Sequence, residues 1–147
     1  MKREHHPVHS RRKFGNIWGE LDYVCKKIRY WLYLRREQTR AKRYLHRLQQ
    51  LLEELPENDM AIIRQEAWAL LHELKGDKGA AIKYRQREIE LIEKLHEDVE
   101  SRSYDPQMKA SILGDRDSKG LQERRALLKA LVEDKYRRAQ RPTGKAV

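Results

Sequence analysis

The fold of this chain is decided by residues 17–55, which read IWGELDYVCKKIRYWLYLRREQTRAKRYLHRLQQLLEEL. After Gly19 this stretch contains neither glycine nor proline, the residues that most often end a helix. Its apolar residues recur at spacings of three, four and seven, which is the periodicity of one helical face. They are Ile17, Leu21, Val24, Ile28, Trp31, Leu34, Leu45, Leu48, Leu52 and Leu55. The pattern predicts one long N-terminal helix, about 58 Å in length.

The apolar pattern is interrupted between residues 35 and 44. Arg35, Gln38 and Lys42 stand there at positions that would continue the apolar face. The alternative to one long helix is therefore a break near Thr39. We expect one helix rather than two, because nothing in the interruption is a helix breaker.

The rest of the chain has helical periodicity and no strand pattern. A second helix is expected to end at Gly76 with positive φ, and a third to cover 78–99. Asp105-Pro106 is a cap followed by a first-turn proline, and opens a short helix before a C-terminal one. We therefore predict an all-α fold of antiparallel helical hairpins, with one long N-terminal helix and a C-terminal helix.

The stretch AWALLHELKGDKGAAIKY, which begins residues 67–96, resembles part of a tetratricopeptide repeat. That family joins two helices through a Gly-Asp turn, here Gly76-Asp77, and has an Ala-Ile pair early in the second helix, here Ala81-Ile82. The chain departs from the family at Arg85 and Glu88, near positions where the repeat has an aromatic and then a small residue. The resemblance implies a TPR-like hairpin that serves as a protein-interaction scaffold without chemistry of its own.

The charge of the chain is unevenly distributed. The 147 residues carry a formal net charge of +10. Residues 1–50 hold 14 Lys and Arg against 4 Asp and Glu, residues 51–100 hold 7 against 13, and residues 101–147 hold 12 against 6. A localised surplus of one sign indicates a partner of the opposite sign, whereas a uniform surplus indicates only solubility.

A stripe of basic residues runs along the predicted N-terminal helix at alternating spacings of three and four. We call it the basic stripe, and it consists of Lys26, Arg29, Tyr33, Arg36, Arg40, Arg43 and Arg47. Its members follow the apolar positions by two residues, about 200° around a helix, so the stripe is predicted to face away from the core. Glu37 is the only acid between residues 23 and 52. Solvated helix faces usually mix both signs, so we predict that the stripe binds an anionic partner.

Two functions fit this stripe. The first is a non-enzymatic helical adaptor that presents its basic face to an anionic partner protein. The alternative is a protein that binds RNA, or DNA nonspecifically, through the basic N-terminal helix and tail, with Tyr33 and Tyr44 as exposed stacking residues. Contact with an anionic membrane surface is a further partner for the same charges. Against all of these stands internal pairing of the stripe with the acidic third helix.

No residues predict an enzyme, a metal site or a cofactor. Catalytic triads, paired carboxylates in a pocket-like context and phosphate-binding loops are absent from the sequence. The single cysteine, Cys25, gives no intramolecular disulfide, and the sequence has neither a transmembrane segment nor a secretory signal. We expect a cytoplasmic protein with flexible tails at 1–13 and 138–147 around a single all-helical domain at 14–137.

Overall fold

The computed structural model describes residues 16–56 and 61–140, with side chains as far as residue 134. Every helix or strand assigned within these ranges is a helix, which confirms the all-α fold class. The chain divides into two compact units, residues 1–77 (unit 1) and 78–147 (unit 2), and each is described by itself. The predicted tail at 1–13 lies outside the described residues. The single domain at 14–137 stays a prediction.

Unit 1 contains four described helices and a π-helical turn. In chain order they are α1 (Ile17–Arg29), the π-helical turn (Tyr30–Leu34), α2 (Gln38–Lys42), α3 (Leu45–Glu54) and α4 (Ile62–Leu74). Unit 2 contains three described helices and a 3₁₀ turn. They are α5 (Lys78–Ser101), α6 (Pro106–Leu113), the 3₁₀ turn (Gly114–Arg116) and α7 (Ser118–Gln140). Among the described residues no helix is both long and apolar enough to span a membrane.

Helix α1 begins at Asn16, whose side-chain oxygen accepts a hydrogen bond from the Gly19 amide at 2.8 Å. This cap satisfies an amide that would otherwise lack a partner in the first turn. The apolar face of α1 is buried, including Leu21 and Ile28, and Cys25 is buried with it. Each fully buried Leu or Ile contributes about 1.5–3 kcal/mol to folding. The buried cysteine thus belongs to the packing of unit 1.

The prediction of one long helix over residues 17–55 is wrong. The Arg35 amide donates to the Tyr30 carbonyl at 2.9 Å, and the Glu37 amide donates to the Trp31 carbonyl at 2.7 Å. Between these two residues Arg36 adopts φ +55°, in the left-handed region that ends helices. The alternative of a break is correct, and the break lies at residues 35–37. The polar residues of the interruption give a continuing helix no apolar face to bury, so packing does not hold it straight.

The break allows α3 to pack against α1 and α4. Leu48 and Leu51 of α3 are fully buried in the same core as Leu21 of α1 and Leu70 of α4. Along one straight helix, residues 21 and 48 would lie about 40 Å apart and would not share a core. Ala41 of α2 is also fully buried, although it falls inside the interruption of the apolar pattern.

The predicted end of α4 is confirmed at Gly76, which has φ +85°. The Asp77 amide donates to the His72 carbonyl at 2.8 Å and the Gly76 amide to the Glu73 carbonyl at 3.1 Å. This pair of bonds is the Schellman arrangement, which satisfies carbonyls left open by the last turn. The helices on either side, α4 and α5, belong to different units, and the TPR-like hairpin at 67–96 stays a prediction.

Replacing Gly76 with valine is expected to destabilise unit 1 by about 1–2 kcal/mol. A β-carbon at this position meets no atom within 4 Å, so the cost comes from the left-handed backbone alone. Thermal unfolding followed by circular dichroism measures the change. Gly76→Asn is the control, because asparagine tolerates this conformation and should lose less. Equal losses from both variants would contradict the backbone explanation.

Unit 2 is built from α5 packed against α7, with α6 between them in sequence. The predicted start of α6 is confirmed, since the Asp105 carboxylate accepts from the Met108 amide at 2.7 Å. Asp117 caps α7 in the same way, accepting from the Gly120 amide at 2.9 Å. A β-carbon on Gly120 would overlap the Asp115 carbonyl, so glycine lets α7 approach the 3₁₀ turn closely. The last helix continues to Gln140.

Candidate anion-binding site at the helix break

The basic stripe does not form one surface, because the break at Arg36 changes the direction of every residue after it. Three members of the stripe lie at least partly inside unit 1 and four lie outside. Those inside are Arg29, Tyr33 and Arg47. Those outside are Lys26, Arg36, Arg40 and Arg43.

Arg47 is buried, so the prediction that it faces an external partner is wrong. Its guanidinium makes two hydrogen bonds to the carboxylate of Glu20, from Nε at 2.7 Å and from Nη2 at 2.6 Å. Both side chains are nearly inaccessible to solvent. The two-residue offset from the apolar face holds only for a continuous helix, and α3 instead faces back toward α1. Arg47 therefore links α3 to α1.

Arg29 and Tyr33 also contact acids of unit 1. Arg29 Nη1 lies 3.3 Å from Glu66 Oε2, and the Tyr33 hydroxyl donates to Glu73 Oε1 at 2.6 Å. Both acids belong to α4. Part of the stripe is thus paired internally, as the competing interpretation required, but the acids come from the second helix of the sequence prediction and not from the third. These two residues are positioned to hold α4 against α1.

The exposed cations cluster at the helix break. We call this cluster the basic bend, and it consists of Arg35, Arg36, Arg40, Lys42 and Arg43. Glu37 is the only acid between residues 23 and 52, and it lies 3.1 Å from Arg40 Nε and 4.0 Å from Arg35 Nη2. Among the residues the structure describes, Arg36, Lys42 and Arg43 have no ion-pair partner. Lys26 is exposed but lies earlier in α1, where it pairs with Asp22 at 2.9 Å.

Aromatic side chains support the basic bend from one side. The Arg40 guanidinium lies 4.7 Å from the centre of the Trp31 ring, within the range of a cation–π contact. Tyr30 packs edge-on against Trp31, with ring centres 4.9 Å apart and planes at 78°. Trp31 itself is half-buried against the core of unit 1. The head of Arg40 is therefore held in place rather than free in solvent.

The aromatic residues expected to stack on nucleic acid are less accessible than the sequence predicted. Tyr33 and Tyr44 are both half-buried and pack against the core, and the Tyr33 hydroxyl is bonded to Glu73. Tyr30 is the more exposed tyrosine of this region, at 38%. The surface of the bend is therefore dominated by cations, with one partly exposed ring.

Arg36 occupies a backbone conformation that suits glycine. We expect Arg36→Gly to stabilise unit 1 by about 0.5–1 kcal/mol, because relief of left-handed strain exceeds the entropy that glycine adds to the unfolded chain. Arg43→Gly is the matched control, since Arg43 is exposed with an ordinary φ of −61° and should lose a similar amount instead. Thermal melts of the two variants should shift in opposite directions. Shifts of the same sign would contradict strain at Arg36.

A second charged cluster lies in unit 2, and the sequence analysis missed it. Arg85 and Glu88 of α5 are fully buried, and Arg124 of α7 is 3% exposed. Glu88 accepts from Arg85 Nη1 at 2.6 Å and from Arg124 Nε at 2.7 Å. Arg124 Nη1 also donates to the Asp115 carbonyl at 3.0 Å. The signal was available, because residues 81, 85, 88 and 92 repeat at four, three and four and mark one buried face.

These buried charges cross-link the helices, and their burial leaves no room for a ligand. Elsewhere in unit 2, a shallow open depression is lined by Lys94, Glu97, Asp98 and Ser101. The residues that the structure describes contain no group of three or more His, Cys, Asp or Glu arranged to hold a metal ion. The basic bend, which offers several N–H donors toward solvent, is thus the surface best suited to bind a ligand, and that ligand is an anion.

Comparison with known proteins adds no further assignment. No protein-family model, no curated protein and no solved structure matches this chain. The likeness to a tetratricopeptide repeat at residues 67–96 therefore remains a resemblance of sequence. A function for the chain has to come from the side chains of the basic bend and their surroundings.

Proposed function

We propose that this chain is a non-enzymatic helical interaction module whose basic bend docks an acidic surface of a partner protein. The observation that carries the proposal is the cluster of five exposed cations within residues 35–43, accompanied by one acid. Like charges placed this close repel one another, and carboxylates from a partner would offset that repulsion. Guanidinium groups also bind carboxylates through two parallel hydrogen bonds. We further propose a cytoplasmic location, with which the single cysteine agrees.

An apolar contact beside the cations favours a protein over a nucleic acid. Leu34 is 71% exposed and directly precedes Arg35 and Arg36. Aliphatic side chains in the centre of a polar rim are typical of protein interfaces, whereas sequence-independent nucleic-acid sites rely on stacking aromatics. Binding of RNA, or of DNA nonspecifically, is the second candidate function, and the four arginines of the bend support it.

Reversing Arg36, Arg40 and Arg43 to glutamate is expected to weaken binding of an acidic peptide at least tenfold and to leave the fold intact. These side chains are exposed, so little packing is lost. Each exposed ion pair is worth about 0.2–1 kcal/mol, and reversal adds repulsion of similar size. Fluorescence anisotropy with a labelled oligo-glutamate peptide measures the affinity, and circular dichroism measures the fold.

The matched control reverses Lys83, Arg87 and Lys94, which are exposed on α5 and change the net charge equally. An equal loss of affinity in this control would mean that total charge, not the basic bend, attracts the peptide. Unfolding of the first variant would mean that its three arginines are structural. Either result contradicts the proposal.

A single-stranded RNA of the same charge as the peptide separates the two candidate functions. If RNA binds more tightly than the peptide, the second function is favoured. Its affinity should then fall with salt at a logarithmic slope of about −0.7 per phosphate contacted. The triple variant would reduce that slope by about 2. Weak RNA binding with little dependence on the three arginines supports the protein partner.

A further inference from the structure

We infer that the segment docked on the basic bend is an acidic peptide segment with an apolar side chain among its carboxylates, and that this side chain packs on Tyr30 and Leu34. The inference rests on the proposed function and specifies the chemistry of the partner. A surface that binds charge alone would need only the cations. The bend additionally presents an apolar pair at its centre.

The apolar pair lies on the π-helical turn. Leu34 is 71% exposed and Tyr30 is 38% exposed. Residues four apart lie on neighbouring turns of a helix, so the two side chains emerge close together. The other large hydrophobic residues exposed to this degree among the described residues, Met108 and Val132, belong to unit 2. Within the described part of unit 1, exposed apolar surface of this kind is thus concentrated beside the cations.

The Tyr30 ring is held in place before any partner binds. It packs edge-on against Trp31, and its hydroxyl lies 3.4 Å from Arg35 Nη1 as a weak acceptor. Arg40 lies against the same Trp31 ring at 4.7 Å. A surface whose side chains are already ordered loses less conformational entropy when it binds.

The backbone itself turns Leu34 outward. In the sequence, Leu34 continues the apolar face of Leu21, Ile28 and Trp31, and a regular α-helix would bury it with them. The π-helical turn bonds residues five apart instead of four, which rotates the side chains at its end, and Arg36 then ends the helix in the left-handed region. Such irregular turns and strained residues often occur at functional sites.

Charge complementarity limits the chemistry of the occupant. Arg35 and Arg36 come immediately after Leu34, and Arg40, Lys42 and Arg43 come within nine residues of it. An apolar side chain bound at Leu34 would therefore have cations close by. A partner with carboxylates flanking that side chain satisfies both parts of the surface, whereas a polyanion without an apolar group leaves Leu34 exposed to water.

A leucine scan of the oligo-glutamate peptide tests the inference with the intact chain. One leucine is placed at each position in turn, and serine replaces it in a parallel set so that the charge is constant. We expect at least one leucine peptide to bind about tenfold more tightly than its serine counterpart. Leu34→Ser should remove that preference and leave affinity for the serine peptides unchanged. Leu34→Gln serves as a second variant that keeps the length of the side chain.

Val132→Ser is the control, because it removes an exposed apolar side chain from unit 2. It should keep the preference for leucine. The inference is overturned if no leucine position improves binding, or if the preference survives in both Leu34 variants. In either case, loss of serine-peptide binding in the triple arginine variant would still support the proposed function. If the wild type binds no acidic peptide at all, the proposed function fails and the inference fails with it.

Discussion

Replacing Glu88 with alanine is expected to cost about 3–5 kcal/mol and to unfold much of unit 2. Glu88 is fully buried and is the carboxylate on which Arg85 and Arg124 converge, at 2.6 and 2.7 Å. Its removal leaves two buried guanidiniums that have lost an ion-pair partner in a medium of low dielectric constant. A loss of this size is a large part of the total stability of a small folded unit.

Hydrogen exchange with mass spectrometry measures this effect where it occurs, in peptides from α5 and α7. Protection should fall there first, and the helical signal in circular dichroism should melt at a lower temperature. Glu90→Ala is the matched control, because Glu90 is exposed on the same helix and should change stability by no more than about 0.5 kcal/mol. Similar melting of the two variants would show that the buried network contributes little.

Replacing Arg47 with glutamate is expected to unfold unit 1. The change removes the double hydrogen bond to Glu20 and places two carboxylates together in a buried site. Removing one partner of a buried pair costs about 3–5 kcal/mol, and repulsion adds to this. All three tryptophans, Trp18, Trp31 and Trp68, lie in unit 1, so their fluorescence reports its unfolding.

Arg43→Glu provides the control for Arg47→Glu. Arg43 stands four residues earlier in the same basic stripe, but it is exposed and has no ion-pair partner among the described residues. Its reversal should leave tryptophan fluorescence and the melting temperature nearly unchanged. The exchange variant Glu20→Arg with Arg47→Glu should recover part of the lost stability, because it restores opposite charges at the two positions. Equal effects of Arg43→Glu and Arg47→Glu would contradict the division of the stripe.

Together these variants separate cations that hold the fold from cations that face solvent. Arg29 and Arg47 contact acids within unit 1, whereas Arg36, Arg40 and Arg43 are exposed at the basic bend. Loss of binding without loss of stability is expected only for the second group. This distinction matters for any search for a partner, because a variant that unfolds the chain abolishes binding for an uninformative reason.

The sequence by itself determined the class of fold and most helix ends. Asn16, Asp105 and Asp117 each cap the next helix, and Gly76 ends α4 with positive φ. These features depend on hydrogen bonds and backbone preferences within a few residues, so local sequence contains the necessary information. The buried face of α5 was also visible as a repeat, although its charged members, Arg85 and Glu88, were interpreted only as departures from a family pattern.

Only the tertiary structure decided which members of the basic stripe face solvent. A stripe drawn on one continuous helix puts every member on the same side, and that prediction depends on the helix staying straight. Arg36 adopts a left-handed conformation for which its sequence gives no signal, since glycine is the usual residue there. The break is held by distant contacts, namely the burial of Leu48 against α1 and the pair between Glu20 and Arg47, 27 residues apart. Those contacts turn Arg47 inward and leave Arg36, Arg40 and Arg43 outside, because the direction of α3 is set by the helices it packs against and not by its own sequence.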